Sequence, residues 1–135
     1  MVEVTGVYQG EKRCEMVHGP SNSVLHTDAP RDNHGRGEAF SPTDLVATAL
    51  GSCVLTTMAI FAEKEGIDLK SAHFKVVKEM QTSPRQISRL PLEIHLPKSV
   101  SLDRRSYLED IGRNCPVKRS LSIDVETPMQ FFWDV

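Results

Sequence analysis

Hydrophobic and polar residues alternate from the first positions of the chain. Val2, Val4 and Tyr8 interleave with Glu3, Thr5 and Gln9, a period of two that predicts a half-buried strand. Arg13 to Val17 and Ser23 to Thr27 predict two more strands, joined through the turn-forming run HGPSN. Residues 28–40, DAPRDNHGRGEAF, break the pattern. They are too polar for a strand and too rich in glycine for a helix, so they predict a loop.

That loop runs into a well-marked helix start. Ser41 can cap the first free amides, Pro42 suits the first helical position, and Asp44 stands where a capping box carries its acid. Asp44 also puts negative charge at the favourable end of the helix dipole. Phe40 can pack against the first turn. The helix is predicted to run to about Lys64 and to stop at Gly66. Residues 45–62 carry no charge, a span of about five turns. A helix of that kind must be covered nearly all round, by sheets or by a second subunit. Its length raises the question of a membrane span. Thr48, Gly51, Ser52, Cys53, Thr56 and Thr57 make it a poor one, so we read it as a buried central helix.

Beyond Gly66 the period returns to two. Ala72, Phe74 and Val76 predict a strand, SPRQ a turn, and Leu90, Leu92, Ile94 and Leu96 a second strand, which Pro91 assigns to an edge or a bulge. A helix is predicted from about Asp103 to Arg113, with Tyr107, Leu108 and Ile111 on one side. After Asn114-Cys115-Pro116 comes a short helix or turn through Leu121. Ile123 and Val125 predict a further strand, and Met129, Phe131 and Trp133 an alternating tail. With no repeat and no linker, 135 residues predict one α+β domain spanning 1–135.

Sixteen Lys and Arg against eighteen Asp and Glu, mixed along the chain, give no electrostatic reason to expect nucleic acid or an anionic membrane as partner. The first residues lack the basic and apolar regions of a signal peptide. Three cysteines, one of them in mid-helix, do not form a secreted disulfide framework, so a reducing, cytoplasmic compartment is expected.

Candidate chemistry centres on those cysteines. Cys115 precedes Pro116 at a helix start, with Lys118 and Arg119 within a turn; each feature raises the thiolate fraction. Cys53 lies in mid-helix among Val46, Ala49, Leu50 and Ile60, where desolvation alone disfavours the thiolate. By these rules Cys115 is the more activated thiol. Cys14, in a predicted strand, reads as incidental. His18, His26, His34, His73 and His95 lack metal-site spacing, and Gly35 and Gly37 make no nucleotide loop, so neither metal nor organic cofactor is expected. Asp28 and Asp32 read as acids of a solvated loop.

The block FSPTDLVATALGSCVLTTMA, followed later by CPVKRSL, resembles the OsmC/Ohr superfamily of thiol-dependent peroxide-reducing proteins. The order of elements agrees across nearly the whole chain. The resemblance implies an OsmC-like fold: N- and C-terminal antiparallel β segments wrapped around long central helices in an intertwined homodimer, with active sites at the subunit interface. It makes Cys53 the peroxidatic thiol, oxidised to sulfenic acid, and Cys115 the resolving thiol, with a dithiol reductant reopening the disulfide. This reverses the ranking above. The family also implies an activating Arg, matched by Arg13, and a Glu near the start of the long helix. Thr43 stands at the Glu position, with Asp44 and Glu38 as the acids nearby. Neighbouring helix positions point about 100° apart, so Asp44 is not an equivalent replacement. This departure resembles the less characterised branch of the superfamily.

The expected function is therefore peroxide reduction, organic hydroperoxides before hydrogen peroxide, with Phe40, Leu50 and Met58 as apolar pocket candidates. Composition favours a core role for Met58 and Phe40. The alternatives are a non-enzymatic dimer binding a small apolar or thiol-reactive ligand, which the missing Glu favours, and a disulfide reductase or redox sensor using the same cysteines.

Overall fold

The structure is a computed structural model describing residues 1–135, and it divides into two compact units, Met1–Val46 and Ala47–Val135. The chain is an α+β protein, in which a long helix, α1 (Pro42–Glu63), begins in the first unit and continues through the second.

The first unit is a three-stranded antiparallel sheet in sequence order, β1 (Val4–Gly10), β2 (Arg13–His18) and β3 (Val24–Asp28). All three strands fall where the alternation placed them. Gly10, Glu11 and Lys12 turn the first hairpin with positive φ, a conformation cheap only for the glycine. The HGPSN turn fixes the second register, pairing Val17 with Val24 and, at the far end, Arg13 with Asp28. The following loop contains a single 3-10 turn, Arg31–Asn33. It ends in the capping box expected from Ser41 and Asp44. Asp44 Oδ2 accepts from the Ser41 amide at 2.8 Å, and Ser41 Oγ accepts from the Asp44 amide at 3.1 Å.

In the second unit α1 stops at Glu63, and Gly66 takes the left-handed conformation, φ +72°. The strands that follow are β4 (His73–Val76), β5 (Glu79–Gln81), β6 (Gln86–Arg89) and β7 (Leu92–His95), then helices α2 (Leu102–Arg113) and α3 (Pro116–Ser120), then strand β8 (Met129–Phe132). β5 and β6 form a small hairpin around SPRQ that the alternation did not predict. β7 is not an edge strand: it lies between β4 and β8. Pro91 is compatible with that place because it precedes the strand and only accepts, its carbonyl taking the Val77 amide at 3.0 Å.

Two further expectations are corrected. β8 runs parallel to β7, so this sheet is mixed rather than antiparallel throughout. The crossover through α2 and α3 supplies the length that a parallel connection needs. Ile123 and Val125 form no strand. Ile123 is exposed, and the segment is joined to β6 by a bridge between Arg89 and Glu126.

The core of this unit is Leu50, Val54, Met58 and Ala62 of α1 with Leu90, Leu92, Ile94, Leu96 and Leu108, all essentially inaccessible to solvent. Leu108 and Gly112 make the buried face of α2. Tyr107, expected beside Leu108, points outward under the Arg104 guanidinium. Gly112 sits against α1 so closely that a Cβ there would lie 2.9 Å from Met58 Sδ and 3.2 Å from Val54 Cγ1. By length and composition α1 could cross a membrane, yet one face of it is core. Within one chain it is not covered all round: Ala49, Ser52, Thr56 and Ile60 form an exposed, uncharged stripe.

Candidate active site

Cys53 sits near the middle of α1, half-buried, beside the Val54–Met58 stretch that receives Gly112. Its Sγ lies 3.8 Å from Thr57 Oγ1, one turn further on. The close approach at Gly112 brings the end of α2 against α1, and Cys115 follows three residues later as the N-cap of α3, with Pro116 at the first helical position. The result is a near-disulfide arrangement of two free cysteines, Cys53 and Cys115.

The two thiols differ in environment. Cys115 is fully buried. Burial pushes its pKa up, the Lys118 and Val117 amides pull it down, and the neighbouring Cys53 pushes it up again; the net is a raised value. The expectation that the helix-terminal position of Cys115 raises its thiolate fraction is thereby corrected. Two amide hydrogen bonds at a short helix do not offset complete desolvation. Sequence alone could not rank these terms, because the burial of Cys115 depends on how α2 seats on α1.

Arg13 heads β2 and faces Asp28, the last residue of β3. Its Nε and Nη2 fork onto Asp28 Oδ1 and Oδ2 at 2.7 and 2.9 Å, and Nη2 lies 3.6 Å from Glu38. Asp28 also accepts from the Glu38 amide at 3.0 Å. It is buried, not solvated as its loop context suggested. The Arg13 hydrogen bond is the main cause that holds its carboxyl down at about 2. The acid partner of Arg13 is thus Asp28, with Glu38 second, while the Asp44 carboxylate closes the helix cap. The signal for Asp28 was present: counting outward from HGPSN places it opposite Arg13.

Since this carboxyl falls from 3.8 to about 2 on folding, its contribution to stability is present above about pH 4 and lost as the pH falls toward 2. Asp28→Asn is expected to flatten the acid limb of a urea-unfolding midpoint measured against pH in that window. An unchanged acid limb would show that the Arg13–Asp28 fork contributes nothing to folding.

Of the pocket candidates, Leu50 and Met58 are fully buried and Met58 packs on Gly112, so both are core side chains. Phe40 is exposed and borders, with Gly37, Glu38, Ala39 and Asp44, an open hollow of about 330 Å³. A cavity of about 260 Å³ between Lys75, Val77, Arg89, Pro91, Glu93 and Gln130 is lined by neither cysteine.

A family profile described as OsmC-like protein matches residues 35–128, which include both cysteines. The chain belongs to the OsmC/Ohr superfamily. It is 36% identical to a protein of Psychrobacter arcticus described as an osmotic stress induced and detoxification response protein, over 97% of this chain and 96% of that one, with a TM-score of 0.92. An organic hydroperoxide resistance protein OsmC from Legionella pneumophila shares the fold at 15% identity (TM-score 0.78; 98% and 96% covered). So does an OsmC-like protein from Mycoplasma pneumoniae, also at 15% (TM-score 0.78; 98% and 97% covered). No curated protein matches the chain. Its near-disulfide cysteine pair is consistent with thiol-based redox chemistry.

Proposed function

We propose that this OsmC-like protein is a thiol-dependent peroxidase that reduces organic hydroperoxides in preference to hydrogen peroxide. The observation that carries the reading is the near-disulfide pairing of Cys53 with the fully buried Cys115. The Cys53 thiolate takes the distal oxygen of the hydroperoxide and becomes sulfenic acid. Cys115 then displaces that oxygen as water, forming the disulfide, and a dithiol reductant restores both thiols.

The preference for organic substrates rests on the resemblance and on the uncharged run of residues 45–62 in which Cys53 lies. The activating role of Arg13 rests on the resemblance. Its guanidinium, forked onto a buried carboxylate, is a fixed and permanent positive charge. We take residues 1–135 to act as one domain in a cytoplasmic homodimer. The uncharged stripe of Ala49, Ser52, Thr56 and Ile60 supports burial against a second copy, as do the exposed Val4, Val7 and Tyr8 of β1.

The test is intact mass and thiol content after a stoichiometric pulse of cumene hydroperoxide. The expected product is a Cys53–Cys115 disulfide within seconds, with Cys14 still reduced. Thiols that stay reduced for minutes at neutral pH would sink the reading and favour the ligand-binding alternative.

A further inference from the structure

The cysteine pair poses a chemical difficulty that suggests its own answer. A resolving thiol attacks only as thiolate, yet Cys115 is fully buried beside Cys53, and complete burial favours its neutral form. A group so placed is a poor nucleophile at neutral pH. The first chemical step has the complementary need. When the Cys53 thiolate attacks the distal oxygen of a hydroperoxide, the O–O bond breaks and its electron pair departs on the alkyl-bearing oxygen. The departing alkoxide is a much stronger base than a thiolate and needs a proton as it leaves.

Two side chains of the second unit reach Cys53: Thr57, with Oγ1 at 3.8 Å, and Cys115. A threonine hydroxyl is no more acidic than the alcohol being formed, so a proton moved from it gains nothing. A thiol is far more acidic than an alcohol, even a buried one. We propose that Cys115 is the general acid of the first step, and that giving up its proton is what creates the resolving thiolate. This inference rests on the peroxidase reading.

The atoms balance. The Cys53 thiolate, ROOH and the Cys115 thiol yield Cys53 sulfenic acid, ROH and the Cys115 thiolate. That thiolate attacks the Cys53 sulfur, the S–S bond forms, the S–O bond breaks, and hydroxide leaves to take a proton from solvent as water. Two electrons pass from the thiols to the peroxide. The geometry supports the order of events. Once Cys53 is a neutral sulfenic acid, the negative charge that kept the proton on Cys115 is gone. The Lys118 and Val117 amides then remain to hold the new thiolate.

The experiment follows the first step alone, as the rate of Cys53 sulfenic acid formation by rapid mixing, in wild type, Cys115→Ser and Cys115→Ala. Serine keeps the volume of the side chain and guards against loss of fold. With tert-butyl and cumene hydroperoxides both variants are expected to lose about a hundredfold in that step, the lower range for general acid catalysis. With peracetic acid, whose carboxylate leaving group needs little protonation, the loss should be much smaller. Equal losses with all three oxidants, or first-step rates unchanged in the variants, would overturn the proposed role while leaving the peroxidase reading intact. A wild-type Cys53 that reacts with none of the oxidants overturns both.

Discussion

Replacing Cys53 with serine is expected to reduce hydroperoxide turnover to the uncatalysed rate, a loss of orders of magnitude, with the fold retained. The reason is specific to sulfur. A serine hydroxyl is neither ionised at neutral pH nor oxidisable by peroxide, so neither half of the cycle survives. Cys115→Ser also stops multiple turnover, but by a different route. Cys53 still reacts, more slowly, and its sulfenic acid then accumulates because nothing adjacent can displace the oxygen. Cys14→Ser should turn over like wild type, since Cys14 lies in β2 opposite Tyr8 and Thr27 and the proposed cycle uses only Cys53 and Cys115. The measurement is consumption of cumene hydroperoxide with dithiothreitol as reductant, joined to sulfenic acid trapping in each variant. The opposite pattern, turnover surviving in Cys53→Ser and sulfenic acid trapped on Cys115, would exchange the two roles. It would also restore the ranking that helix-terminus chemistry alone gives.

That ranking shows where sequence reasoning reached its limit. The capping box of Ser41 and Asp44 was legible because both partners are local, three residues apart, and their geometry follows from helix entry alone. The three N-terminal strands were legible for the same reason, each carrying its own alternation. Three other features depend on partners distant in sequence. The parallel direction of β8 is invisible in a period of two, which reports the faces of a strand and not its neighbour. The central place of β7 was obscured by Pro91, which lies just outside the strand and so costs no ladder bond. The burial of Cys115 depends on Gly112 meeting Met58 and Val54, a contact that no local pattern announces. Asp28 is the instructive intermediate. Its composition belongs to a loop, and only the hairpin register places it opposite Arg13.

The largest stability effect is expected at Gly51, one residue before Ser52 and two before Cys53 on α1. An alanine in a helix interior is ordinarily more favourable than glycine by about 1 kcal/mol. Here the sign should reverse. The Phe74 ring of β4 lies directly on the Gly51 backbone, and a Cβ built there would fall within the Cε2–Cδ2 edge of the ring. An aromatic ring is rigid, and β4 is tied to the central strand β7 through Val76 and Leu92. The clash can therefore be relieved only by moving α1 and the sheet apart. Overpacking of this kind costs about 1–3 kcal/mol, enough to outweigh the gain in helix propensity, and Gly51→Leu should cost more than Gly51→Ala. Urea unfolding of both variants measures the loss. Phe74→Leu supplies the control: if the ring is the obstacle, Gly51→Ala should cost markedly less in that background than in wild type. A Gly51→Ala protein more stable than wild type would mean that the ring swings aside and that α1 does not depend on this approach. The same variants bear on the chemistry, because the contact sets how closely α1 lies on the sheet immediately before Cys53. A slower Cys53–Cys115 disulfide in Gly51→Ala, recovered with Phe74→Leu, would tie the placement of the thiol pair to the packing of that one glycine.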